Sequence, residues 1–439
     1  MKKIIISLCA LFLVLKPGTS AAQLTQSKKL NINELFQLAL DSNQQLKVAR
    51  MGIDVASQRV NVAETQLNPT LTANAGAFYL GDATVFDNNL ANKVTIPMPH
   101  FGNSFAVQAS QTVFKGGAIK NNIAISNLQQ QLATLNYDKN SMDVKLLLAG
   151  NYFDLFRLYN QRTVYEKNIN LTQLRINNIN KMYKQGMVTR NDIIRNELLI
   201  TNLNTAVQQI TNSITIISQQ LDIALGLPEN TFIVPDSTIL NNKPETGVLY
   251  NYLDYAYQNY PDIKLAAVNS KIAEKSVAIA KADRLPAINL SAGNSLSRPV
   301  TSSSPARDMY SNGWQAGVGI SFNISSLYNS KQTVKLANMQ LAQQRETEEL
   351  QRQSVEMGVK AAYIKHREAN QLTASAEKSL QLADENFRIV EKKYLNQMAV
   401  LTDLMDATNA KLDAELQKTN AEISILYTYY QLQKATGNL

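Results

Sequence analysis

The side chains best suited to chemistry are few and scattered in this sequence. There are two histidines, His100 and His366, and one cysteine, Cys9. A Cys/His zinc site needs four ligands, or three and a water, and these residues do not supply it. One cysteine cannot make an intramolecular disulfide. His366 falls on a helical stretch and His100 in a loop, neither with an acidic partner arranged for proton transfer, so both read as packing or surface residues. No phosphate-binding G-x-x-x-x-G-K-[ST] or nucleophilic G-x-S-x-G pattern occurs. Leu227-Pro228-Glu229-Asn230-Thr231 has the form of a sorting signal but lies inside the chain. No catalytic, cofactor-binding or metal-ligating residues are predicted, and the chain is not expected to be an enzyme. The residues that do stand in a pattern are Gly186, Thr189 and Asp192. Glycine suits the left-handed residue that ends a helix. Thr189 or Asn191 can cap the next helix, with Asp192 near its positive N-terminus. Gln397, Val400 and Asp403 occupy the corresponding places later in the chain, with Asp406 close behind.

Elements must position these turns, and composition limits which. The chain has 439 residues, with only 11 Pro and 17 Gly, and many Gln, Asn, Leu and Ala. That favours long helices with few turns. Lys2 and Lys3 precede an apolar run, Ile4–Leu15, and Ser20-Ala21-Ala22 supplies small residues for cleavage. Residues 1–22 therefore read as a signal peptide. Its loss takes Lys2, Lys3 and Lys16, lowering the basic count from 43 to 40 and the net charge from +8 to +5. Cys9 lies inside the apolar run and reads as filler, not as a lipid anchor. Basic and acidic residues interleave on the helices, so no nucleic-acid partner is expected. No later apolar run is long enough for a membrane-spanning helix, which leaves a soluble chain or a β-barrel.

The chain repeats itself. Pro69 and Gly76 align with Pro286 and Gly293 at an offset of 217. Tyr183–Asp192 aligns with Tyr394–Asp403 at 211, so the second copy is slightly the shorter. The expected units are residues 23–246 and 247–439, each a helix, two strands, a very long helix, a turn and a long helix. Residues 32–66 carry helical spacing, with Asn33 as N-cap and Pro69 beyond the end. Strands are expected at about 71–80, 105–114, 288–297 and 314–324. One face of these is apolar, and the other carries Asn74, Gln108, Ser110, Thr112, Asn289, Ser291, Gln315 and Ser321. Strands of this length, when tilted, suffice to cross a bilayer. Residues 119–182 contain no Pro, and as one helix would span about 95 Å. The partner helix shows heptad-like stepping at Leu203, Val207, Ile210, Ile214, Ile217, Leu221 and Ala224, the signature of knobs-into-holes packing. Four strands leave two open edges, which hydrocarbon does not tolerate, and small barrels need about eight strands. Two copies supply eight strands and three supply twelve; twelve leave a lumen, so a channel favours three.

With these pieces placed, the chain resembles the TolC family of outer-membrane efflux proteins over residues 23–439. The resemblance rests on Gln111-Thr112-Val113-Phe114-Lys115-Gly116-Gly117, similar to the family's Q-x-L-F-x-G-G, and on the helix-turn-helix Tyr183–Asp192. Ile320–Leu327 departs from the Gly-Gly pattern, as do Gln397 and Val400 from Gly186 and Thr189. The resemblance implies a mainly α fold with a membrane β-barrel part. It implies a homotrimer in outer-membrane lipid, with a twelve-stranded barrel and a helical tunnel across the periplasm. It also implies a periplasmic adaptor and an inner-membrane pump as partners, in a tripartite efflux or type I secretion system whose cargo is a small molecule, such as a drug, or a secreted protein. The turns 184–191 and 395–402 then become the periplasmic tip, with Gly186, Thr189, Asp192, Gln397 and Asp403 as docking candidates. Asp403 and Asp406 become candidates for the aperture, and loops 81–104 and 298–313 are placed outside the cell. The rival expectation is a soluble exported coiled-coil scaffold or adaptor.

Overall fold

The structure is a computed structural model that describes residues 26–229, 231–241, 244–303 and 305–439. The expected signal peptide, residues 1–22 with Cys9, lies outside the described residues. The first half runs β1 (Gln26–Leu30), α1 (Ile32–Ser42), α2 (Gln44–Glu64), β2 (Thr70–Tyr79), β3 (Ala83–Phe86), β4 (Lys93–Ile96), β5 (Phe101–Lys115), α3 (Ala118–Lys184) and α4 (Arg190–Leu225). β6 (Thr231–Pro235) follows α4, and the second half runs α5 (Leu249–Asn259), α6 (Pro261–Ala282), β7 (Ala287–Arg298), β8 (Ser311–Ser321), α7 (Ser326–Leu395) and α8 (Leu401–Thr436).

The repeat is visible in the element starts. Ile32, Gln44 and Thr70 correspond to Leu249, Pro261 and Ala287 at one constant offset, and the offset has shrunk by the time Lys184 meets Leu395. The change has two opposing parts. The strand pair with its loop, Thr70 to Ala118 in the first copy, is shortened to Ala287 to Ser326 in the second. The long helix is instead extended, from 67 residues in α3 to 70 in α7. Each of these helices spans about 100 Å.

The single helix expected over 32–66 is broken. Asn31, not Asn33, caps α1: its Oδ1 accepts from Glu34 N at 2.9 Å, and Glu34 Oε2 accepts from Asn31 N at 3.0 Å. Asn43 is extended, and its Oδ1 accepts from the N–H groups of Gln45 and Leu46, so one helix ends and another starts there. In the second copy Tyr260-Pro261 makes the same break, with proline where a first helical turn tolerates it. Two further expectations change. Loop 81–104 contains the β3–β4 hairpin, and β5 starts at Phe101. β8 ends at Ser321, not at 324, because Asn323 starts an Asx turn into α7: its Oδ1 accepts from Ser325 N at 3.1 Å.

The main core lies where α1, α3, α4, α8 and β6 meet. β1 pairs in parallel with β6, joining the start of the first unit to the segment that follows its last helix. Tyr152 of α3 holds this ribbon from below: its buried hydroxyl donates to Leu30 O at 3.1 Å and accepts from Asp236 N at 2.9 Å. α2 packs on α3, α3 on α6 and α6 on α7, a row of helices with α2 and α7 outermost. Beyond one end of the row the four long strands form an antiparallel sheet in the order β2–β5–β7–β8.

Candidate functional site

At the end of the molecule far from the sheet, α3 turns into α4 and α7 into α8. Gly186 takes φ +73°, as expected of a helix-ending glycine. Its N–H donates to Tyr183 O at 2.9 Å, and Met187 N donates to Met182 O at 3.0 Å. Gln397 takes φ +61° and makes the same turn, with Gln397 N to Tyr394 O at 3.0 Å and Met398 N to Lys393 O at 2.8 Å. The backbone path is therefore shared although only one copy has glycine. The caps differ. Thr189, not Asn191, precedes α4, and both its N–H and its hydroxyl donate to Asp192 Oδ2, at 2.7 and 2.8 Å. Val400 has no hydroxyl, so Asp403 Oδ2 accepts only the Val400 N–H, at 3.2 Å.

The two turns lie side by side. Ile179, Phe387, Tyr394, Leu401, Leu404 and Ala407 form a buried cluster behind them, with Val188 and Ile193 packed against it. Arg195 Nη1 donates to Thr402 Oγ1 at 3.4 Å, from one hairpin to the other. The structure thus brings Gly186, Thr189 and Asp192 near Gln397 and Asp403, while Asp406 stands exposed one turn further along α8. Met398 and Val400 are 69% and 63% exposed, so this end presents apolar side chains among exposed charges of both signs, with Lys184, Arg190, Lys392 and Lys393 beside Asp403 and Asp406.

Sequence reasoning missed the group above the tips. The Arg175 guanidinium sits 5.7 Å from the Phe387 ring centre, and Lys411 Nζ lies 4.6 Å from the same ring. Burial pushes the Arg175 pKa down, and its Nε and Nη1 find no acceptor among the described residues. Lys411 Nζ binds Asp384 at 2.6 Å and holds that carboxyl below its usual range; Arg388 adds a second contact at 2.7 Å. The one signal available was Asp384 and Arg388 four apart on a helix.

At the other end, strand register sorts the side chains. Across the sheet, Thr72, Gln108, Gly293 and Gln315 stand in one ladder, and Thr70, Ser110, Ser291 and Gly317 in the next ladder of that face. The alternate ladders are Leu71, Ala109, Ala292 and Ala316, then Ala73, Val107, Asn294 and Trp314. One face is therefore hydroxyl- and amide-rich. The other is mainly apolar, interrupted by Asn294 and Gln111, and Trp314 and Ile320 on it are 80% and 72% exposed. A bulge between Thr112 and Phe114 shifts the phase, so Phe114 joins Ile288 and Ile320 on the apolar face. The chain then enters α3 through Gly116 and Gly117, at φ +61° and +83°. A Cβ on Gly116 would stand 2.6 Å from Ala282 O, so this passage needs glycine twice over, for its dihedral and for its clearance.

The histidines take packing roles. His366 is fully buried between α7 and α8, with Nδ1 3.1 Å from Thr428 Oγ1 and Nε2 3.4 Å from Asn370 Nδ2. Burial pushes its pKa down, toward the neutral form. His100 stacks on Tyr79 and reaches Leu80 O at 2.9 Å. Among the described residues no three His, Cys, Asp or Glu side chains gather as metal ligands, and no helix is long and apolar enough to cross a membrane.

Known proteins resemble this arrangement over nearly its whole length. The family model described as outer membrane efflux protein matches residues 35–227 and 252–438, one block in each half. The outer membrane efflux protein BepC of Brucella suis biovar 1 (strain 1330) is 21% identical over 411 residues, covering 91% of this chain and 84% of that protein. Among solved structures, CusC, described for folding and transmembrane channel formation, superposes with a TM-score of 0.77 at 16% identity, covering 93% of this chain and 92% of that one. The Campylobacter jejuni CmeC outer membrane channel gives 0.74 at 16%, covering 93% and 85%. At those identities the superpositions establish the TolC-like fold, and the matched family establishes the rest. With both halves matched and an apolar strand face at one end of about 100 Å of helix, the chain belongs to the outer membrane efflux protein family, an outer-membrane channel with a helical extension into the periplasm.

Proposed function

We propose that three copies of this chain close into one channel that receives cargo from an inner-membrane pump through a periplasmic adaptor. It would pass that cargo to the exterior with no catalytic step. The observation that carries the three-copy reading is the pair of open edges. β2 and β8 are the outer strands of the sheet and run in opposite directions, so β8 of one copy can pair antiparallel with β2 of the next. The outer helices agree. α2 exposes Val48, Met51, Val55 and Val62 along one face, and α7 exposes Leu336, Met339, Leu350, Met357 and Ile364. These stripes suit helix-to-helix packing between copies. Detergent extraction followed by mass measurement tests the reading: a trimer is expected, and a monomer recovered in the soluble periplasmic fraction overturns it.

The adaptor is proposed to dock at the tips through Gly186, Thr189, Asp192, Gln397 and Asp403, with Asp403 and Asp406 nearest the aperture. The shared turn geometry and the exposed Met398 and Val400 support this. Asp192→Ala is expected to leave the trimer intact and to lower drug resistance at least several-fold. Unchanged resistance, with normal amounts of trimer, would remove the docking proposal. The division into units 23–246 and 247–439 belongs to the same reading, supported by the two blocks of family match.

A further inference from the structure

The four sheet strands β2, β5, β7 and β8 carry two charged side chains, Lys115 and Arg298, at opposite ends. Arg298 stands in the Asn103 ladder, on the same face as Trp314. Its Nε and Nη2 donate to the two oxygens of Asp308 at 2.6 and 2.8 Å, so its charge is met in place. Lys115 is different. It pairs with Ala287, which pairs with Ser321, one ladder beyond Phe114, Ile288 and Ile320. That puts it on the hydroxyl and amide face. The bulge between Thr112 and Phe114 is the cause, because an unbroken alternation would carry Lys115 to the apolar side. The residue is exposed, and none of the ion pairs among the described residues includes it.

We propose that Lys115, present once per copy, forms a ring of three ammonium groups at the periplasmic rim of the barrel and biases passage toward anionic solutes. This rests on the three-copy barrel proposed above. The strand walls that face the lumen otherwise offer Thr72, Asn74, Gln108, Ser110, Ser291, Gln315 and their neighbours, uncharged groups that favour neither sign. Like charges repeated at one level of a narrow passage raise the local concentration of the opposite sign, and rings of Lys or Arg are how pores select anions.

The test uses Ser321→Cys in the full chain in intact cells, with and without Lys115→Gln. Two membrane-impermeant thiol reagents are compared from outside, one a sulfonate and one a quaternary ammonium. The unsubstituted chain, whose one cysteine is Cys9, gives the background. Two strand spacings separate positions 115 and 321, about 10 Å, comparable with the screening length near 0.1 M salt. With Lys115 present the anionic reagent is expected to react faster, and Lys115→Gln is expected to lower the anion-to-cation rate ratio about threefold or more. An unchanged ratio at a labelled thiol overturns the proposal, because the ammonium is then neutralised by a neighbour or turned to lipid headgroups. A trimer whose introduced thiol at position 321 reacts with neither reagent overturns it too, since that face is then not the lumen. Absence of a trimer defeats the three-copy reading instead, so the two failures are told apart.

Discussion

Two residues in equivalent turns show how much one position decides. Gly186 and Gln397 both adopt positive φ, but only glycine does so without strain. A side chain there costs about 1 kcal/mol or more. Gln397→Gly is therefore expected to raise the thermal unfolding midpoint by the equivalent of about 1 kcal/mol, and Gly186→Val to lower it by at least as much. Calorimetry of the purified protein checks both. His366 gives a pH prediction. Its folded-state pKa is depressed by burial below the usual value of about 6.5. The unfolded chain then binds the extra proton first, so this contribution to stability is present above about pH 6.5 and is lost as pH falls through the folded pKa. The unfolding midpoint is expected to drop between pH 7 and pH 5, and less so in His366→Asn. Residue-level legibility was uneven for a physical reason. Gly186, Thr189 and Asp192 act within one turn and could be read locally. Arg175 and Tyr152 owe their surroundings to Phe387 and to Leu30 and Asp236, and no local pattern announces those neighbours.

Elements were legible where their own side chains carried the signal. The four sheet strands and both long helix pairs were readable because alternation and three-four stepping run through many residues. β1 was not: Gln-Ser-Lys-Lys-Leu has no strand pattern, and its partner β6 lies beyond the whole of the first helix-strand-helix unit. The break at Asn43 was missed because apolar spacing continues across it, while the decision lies in one amide that caps the second helix. The strand-to-helix passage is the element junction with least tolerance. Gly116→Ala places a Cβ against Ala282 O in a left-handed backbone, and is expected to abolish the folded protein in the membrane fraction. Gly317→Ala, where a Cβ meets nothing within 4 Å, is expected to leave it near normal. Quantifying the channel in isolated membranes separates the two.

At the scale of the whole molecule, one chain is an unfinished object. Its sheet has two unpaired edges, and its row of helices ends in two apolar stripes. Charge placed on a stripe is expected to act on assembly more than on the fold of one copy. Met357→Glu is expected to cut the trimer recovered in detergent several-fold, and Met357→Leu to leave it unchanged, both read by native mass measurement. The need for closure was legible in the sequence from the count of strands. Which helices would meet at the proposed seam was not, because the exposed apolar residues of α2 and α7 look like core residues until the row is seen. The position of those stripes has a temporal consequence. They lie along the helices, in water, whereas the strand edges belong in hydrocarbon. Under the three-copy reading, copies can therefore recognise one another while still dissolved, and the helix stripes hold the strand edges at high effective concentration before any strand meets lipid. Membrane entry then becomes the last act of a complex that has already counted its members.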